Sequence, residues 1–231
     1  MPEPIADNIW LVNGDCVDFY GFPYPTRMVI VRLEDGGLWV WSPVKLTDEL
    51  RQEVAALGPV THLVGPNKIH HLFLGEWAKI WPEAKLWGPK SLIRKRRDLH
   101  FDGQLTDTAP PDWAGQIDQA WFRGSFLLDE VVFYHLASHT VIMADLSENF
   151  DSTFLQEHWK PWQRRIARIW KITHPWGYAP LEWRLSYWNR RALHKARDRV
   201  LGWQVRRVIM AHGAWQRENG AAWLRRAFAW M

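Results

Sequence analysis

Four short runs, RMVIVRL (27–33), LWVWS (38–42), EVVFYHLA (130–137) and HTVIMADL (139–146), are dense in apolar and β-branched residues. They read as strands, the last two as buried ones. IWLV (9–12), THLVGP (61–66), AKLWGP (84–89) and RVIMAHG (207–213) add further strands. EDGG supplies a hairpin turn between the first two, whereas GDCVDFYGFPYPT, rich in Gly, Pro and Tyr, reads as a loop. TDELRQEVAALG (47–58) is a helix: Thr47 caps it, Asp48 and Glu49 suit its first turn, and Gly58 ends it. HLFLGEWAKIW and KSLIRKRRDLH begin two more. After Asn149 the period becomes helical. Leu155, Trp159, Trp162, Ile166 and Ile169 form one stripe, with a kink or break expected at Pro161. Leu181, Leu185, Trp188 and Ala192 form another, and GAAWLRRAFAWM closes the chain. This order predicts an α+β fold: two face-to-face sheets with helices outside, a four-layer αββα sandwich. One domain spans 1–231, with a Trp/Arg-rich helical insertion at 151–203 before the last strand.

The 231 residues suffice for a sizeable core. The lone Cys16 excludes an intrachain disulfide and fits a reducing compartment. MPEPIADNIW does not resemble a signal peptide, and no apolar stretch matches a membrane span. A soluble cytoplasmic protein is expected. Charge is uneven: residues 151–231 hold 16 Lys and Arg against 5 Asp and Glu, and 18 tryptophans punctuate the chain. This reads first as a helical layer with a solvated basic face, held to the body by buried tryptophans. The other reading is a surface for nucleic acid or an anionic membrane.

Candidate chemistry lies at strand ends. His70 and His71 follow THLVGP, Asp145 closes HTVIMAD, and His212 closes VIMAH. Imidazole nitrogen and carboxylate oxygen suit Zn²⁺, Fe or Mn. His135 and His139 flank a hairpin-like turn and either reach the same region or face water.

GPNKIHHLFLGEWAKIWPEAKLWGP, LWVWSPVKLTDEL, EVVFYHLASHTVIMADL and VIMAHG together resemble the metallo-β-lactamase-like hydrolase superfamily, and within it the DUF4336 branch. The superfamily's His-x-His-x-Asp-His motif, set with His71 as its last histidine, places the first two histidines on Pro66 and Lys68 and the aspartate on His70. The next ligand histidine, expected near Ser125 and Phe126, is absent, while Asp145 and His212 match the bridging aspartate and the final histidine. The resemblance therefore implies at most one divalent ion, Zn²⁺ or Fe²⁺, on His70, His71, Asp145 and His212. With all four bound, a tetrahedral site would be closed. Asp145 and Lys68 are the candidate catalytic residues, Lys68 standing in for a lost cation or binding an anionic substrate group. Glu76, one turn beyond His71, is either a partner of a ligand histidine or an ordinary surface residue. The implied activity is water attack on an ester, thioester, lactone or phosphoester of a small molecule. The other class is a metal-free, non-catalytic scaffold that binds a partner, nucleic acid or membrane through its basic C-terminal helices.

Overall fold

The computed structural model describes residues 1–231. One sheet has seven strands in chain order: β1 (Glu3–Ala6), β2 (Ile9–Phe19), β3 (Phe22–Arg32), β4 (Leu38–Trp41), β5 (Val60–Val64), β6 (Lys85–Gly88) and β7 (Gly103–Gln104). The pairings from β1 to β4 are antiparallel and those from β4 to β7 are parallel. The second sheet has β8 (Ile117–Phe122), β9 (Glu130–His135) and β10 (Thr140–Met143) antiparallel, with β11 (Arg207–Met210) parallel to β10 at its edge.

Strand periodicity builds the layers. Val29 and Val31 of β3 point to the shared core, with Trp39 and Trp41 of β4, against Val131, Phe133, Ile142 and Ile209 of the other sheet. Their neighbours Met28, Ile30 and Val40 face the opposite way, onto α1 (Asp48–Leu57), α2 (Leu74–Ile80) and α3 (Lys90–Lys95). The outer face of the second sheet packs on α7 (Arg190–Leu201) and α8 (Gly220–Ala227) through Leu193, Val200, Trp223 and Leu224. The result is the αββα sandwich. Thr47 caps α1 as expected, its hydroxyl accepting from Leu50 N at 3.2 Å. No helix is long and apolar enough to cross a membrane.

Two expectations are corrected. GDCVDFYGFPYPT is not a loop: β2 and β3 pair down to Phe19↔Phe22 through a bulge at Gly14/Cys16. The ladder passes Pro23 and Pro25, and Tyr20 and Gly21 form the tip with φ of 51° and 84°, the left-handed pair a two-residue hairpin needs. The helical stripes after Asn149 are also rephased. Pro161 breaks the run, starting α5 (Pro161–Trp170) after α4 (Ser152–His158). Gln163 and Ala167 are then the buried positions of α5, and Trp162 and Ile169 are 54% and 63% exposed. Leu185 of α6 (Leu181–Ser186) and Trp188, just beyond that helix, likewise face solvent.

His135 and His139 lie at the far end of β9 and β10 from Asp145. His135 is buried, with Nδ1 2.7 Å from Ser138 Oγ, and burial pushes its pKa down to about 4. Unfolded, the ring titrates near ~6.5, so between these values the unfolded chain holds the extra proton. The stability contributed by neutral His135 is complete above the unfolded pKa and is lost as pH falls toward 4, a loss approaching ~3 kcal/mol. Urea denaturation from pH 7 to 4 should show a steeper decline in the wild type than in His135→Gln. Equal slopes would contradict the assignment.

Candidate functional site

Asp145 and His212 converge because of strand register. β10 and β11 are parallel with Met143 opposite Met210, so the residues two positions beyond each strand emerge side by side. Ala211 N donates to Met143 O, extending the pairing toward them. His70 arrives from the other sheet, on the turn after β5. Asn67 shapes that turn: its Oδ1 accepts from Ile69 N at 2.9 Å and His70 N at 3.1 Å. Pro66 O also accepts from Val131 N, which joins the turn to the second sheet.

These three side chains form one group, their donor atoms all within 4.8 Å of one another. His70 Nε2 lies 3.3 Å from Asp145 Oδ2, and His212 Nε2 lies 3.2 Å from Asp145 Oδ1. Both rings are held from behind. His212 Nδ1 donates to Pro25 O at 2.8 Å, and His70 Nδ1 is 2.7 Å from Ser42 Oγ. Ser42 sits at φ 48°, a left-handed conformation that costs a non-glycine residue stability. Outer hydrogen bonds of this kind orient imidazole ligands.

Beneath the carboxylate lies a second buried layer. Asn67 Nδ2 donates to Asp145 Oδ2 at 2.6 Å and to Glu130 Oε2 at 3.1 Å. Glu130 also accepts the backbone N–H groups of Ala144 (2.7 Å) and Asp145 (2.8 Å). Burial and the Asp145 charge push Glu130 up to about 7, against those backbone donors. Burial also disfavours an ionised Asp145, but the charge of His70 overcomes it and holds the carboxyl well below its usual range. For His70 burial is overcome by the Asp145 carboxylate and the pKa rises; for His212 burial prevails and it falls. Arg27 locks the following turn, its guanidinium donating to Met210 O (2.7 Å), Gly213 O (2.8 Å) and Asn13 Oδ1 (2.9 Å).

Three sequence candidates lie elsewhere. His71 turns away from the group, its Nδ1 3.3 Å from Arg96 while Arg96 donates to its backbone oxygen at 2.8 Å. Burial, Lys95 and Arg96 lower its pKa to about 4. Lys68 makes no ion pair or side-chain hydrogen bond and does not line the cavity over the group; Lys95 does. Glu76 is exposed and accepts from Leu46 N. At the position of the missing histidine, Ser125 Oγ pairs with Ser186 Oγ at 2.6 Å and Phe126 is exposed. Asn67, Glu130 and Ser42 are the residues that sequence reasoning passed over. Glu130 at the head of an apolar strand was the one signal available.

The cavity holds about 320 Å³, with His70, Asp145 and His212 at its floor. The unexpected hairpin forms one wall, through Val17, Phe19, Tyr20 and Tyr24. Tyr24 stands edge-on to His212 at 4.9 Å and donates to buried Glu148 at 3.4 Å. Burial, with the charges of Asp145 and Glu182, raises Glu148 well above the usual carboxyl range, favouring its neutral acid.

Solved structures with the same fold include a metallo-beta-lactamase from Pontibacter korlensis, 16% identical, with a TM-score of 0.63 over 97% of this chain and 98% of that one. A metallo beta lactamase from Hirschia baltica is 13% identical, with a TM-score of 0.59 and 97% of each chain covered. The flavodiiron protein from Giardia intestinalis is 13% identical, with a TM-score of 0.69 over all of this chain and 59% of its own. At such identities the likeness is one of fold. No curated protein matches the chain. The family described as Domain of unknown function (DUF4336) matches residues 6–156, from the first strands through the His70 turn and Asp145 into α4. The chain belongs to the DUF4336 family, on a metallo-β-lactamase-like fold.

Proposed function

We propose that this protein is a metal-dependent hydrolase of small molecules carrying an ester, thioester, lactone or phosphoester bond, with one divalent ion held by His70, Asp145 and His212. One contact carries the reading. Pro25 O takes the Nδ1 proton of His212, so the neutral ring turns a bare Nε2 toward Asp145 Oδ1, 3.2 Å away. That buried oxygen has no hydrogen-bond donor. Two acceptors facing each other away from water call for a proton or a cation between them. Two imidazoles and a carboxylate suit Zn²⁺ or Fe²⁺, and three protein ligands leave a position open, which four would close.

When bound, such an ion supplies Lewis acidity and a lowered water pKa. The chain's own residues do the rest. Ser42 and Pro25 orient the rings, the hairpin wall shields the floor from solvent, and Asn67 holds Asp145 Oδ2. His71 and Lys68 have no part in this reading. Hydrolysis of a p-nitrophenyl ester, aryl thioester, aryl lactone and bis-p-nitrophenyl phosphate panel should fall at least ~100-fold on chelation or in His70→Ala/His212→Ala. Zn²⁺ or Fe²⁺ should restore the chelated wild type alone. Turnover indifferent to both treatments, or absent on every substrate with metal added, would contradict the proposal.

A further inference from the structure

We propose that Lys95 is the anion-recognising residue of the cavity, and that the ligand is a small molecule with an apolar or aromatic body and one anionic group. The inference rests on reading this cavity as the substrate site, and it adds the substrate's chemical class.

The charges on the cavity wall are Asp18, Arg27, Lys95 and Asp145. Three are already engaged. Arg27 is committed to two backbone carbonyls and Asn13, Asp145 to Asn67 and the histidines, and Asp18 accepts from Gly21 N at 3.2 Å. Lys95 alone has no partner. Its surroundings are cationic: Lys68 and Arg96 add to burial in lowering its pKa. The acid nearest in sequence, Asp98, is taken by Arg96 through two bonds of 2.8 and 2.7 Å. An ammonium at the C-terminal turn of α3 that faces a cavity, lacks a counter-ion and sits among like charges lowers its energy by gaining an anion.

The apolar part of the lining defines the body of that anion. Phe19, Tyr20, Ile69, Leu72 and Trp183 present apolar and aromatic surface. Tyr20 and Leu72 are 88% and 57% exposed, a hydrophobic rim left open to solvent. A ligand that covers this rim and places its anionic group on Lys95 occupies the cavity that His70, Asp145 and His212 also line.

The test uses naphthalene-2-sulfonate, a poor metal ligand, against neutral 2-naphthylmethanol, by titration calorimetry with the full chain. The sulfonate should bind about tenfold tighter, as expected of one charge-assisted contact at a partly open site. Lys95→Gln should abolish that preference while leaving the alcohol's affinity in place, Lys95→Arg should keep it, and 0.5 M salt should shrink it. Equal affinity for the two probes, a preference that survives Lys95→Gln, or no saturable binding of the sulfonate would overturn the proposal. Failure of the hydrolase reading is separately visible: turnover would be absent or insensitive to His70→Ala/His212→Ala, while a Lys95-dependent sulfonate preference, which needs no metal, would persist.

Discussion

Glu130→Ala is expected to destabilise the fold by at least ~3 kcal/mol and to disorder the site without touching either histidine. The Glu130 carboxyl collects three buried donors, the backbone N–H groups of Ala144 and Asp145 and the Asn67 amide. Each donor left without an acceptor away from water costs ~1–3 kcal/mol. Removing the carboxyl relieves its own burial, which already holds it up to about 7, but that gain is smaller than three stranded donors. Glu130→Gln keeps one carbonyl oxygen and should lose less. The site suffers because Glu130 fixes both the backbone that carries Asp145 and the amide that aims its carboxylate. Urea denaturation at unchanged slope reads the stability, and a loss below ~1 kcal/mol would show that the layer is not the support described.

Gly213→Ala should cost about as much, for a steric reason. Gly213 has φ +84°, and a Cβ there would lie 2.1 Å from Asn149 O and 2.7 Å from Phe150 N. Both are backbone atoms that cannot rotate aside. Asn149 binds this turn on both sides, its N–H donating to His212 O and its carbonyl accepting from Ala214 N. Relief of the clash therefore separates the β11 turn from the start of α4 and shifts His212. Gly115 is an internal control, with φ +85° and nothing within 4 Å of its Cβ position. Gly115→Ala should lose only the left-handed penalty of ~1–2 kcal/mol, and Gly213→Ala ~3 kcal/mol or more together with weakened metal binding. Equal losses for the two variants would contradict the close approach.

What could be read from the sequence follows the range of the forces involved. Asp145 and His212 were legible because each ends an apolar run, and the parallel register of β10 and β11 then aligns them. The choice between His70 and His71 was not legible. Adjacent histidines are equivalent in a sequence, and what turns His70 inward is the local turn set by Asn67 together with Ser42, a partner distant along the chain. The layered sandwich followed from strand and helix periods. The 14–26 hairpin did not, because its prolines and glycines signal a loop while the ladder begun by the apolar runs 9–12 and 27–33 continues through it to Phe19↔Phe22. One helical phase carried through Pro161 puts Trp162 on the apolar stripe, but the helix restarts at Pro161 and turns Trp162 toward solvent.

The metal stoichiometry of untagged protein, measured by elemental analysis beside His70→Ala/His212→Ala, tests the central claim most directly. One Zn or Fe per wild-type chain, lost in the double variant and kept in His71→Ala, is the expected result, since His71 faces Arg96 and not Asp145. Two ions per chain, an ion that leaves on His71→Ala, or a wild type that takes up none when Zn²⁺ and Fe²⁺ are supplied would contradict it.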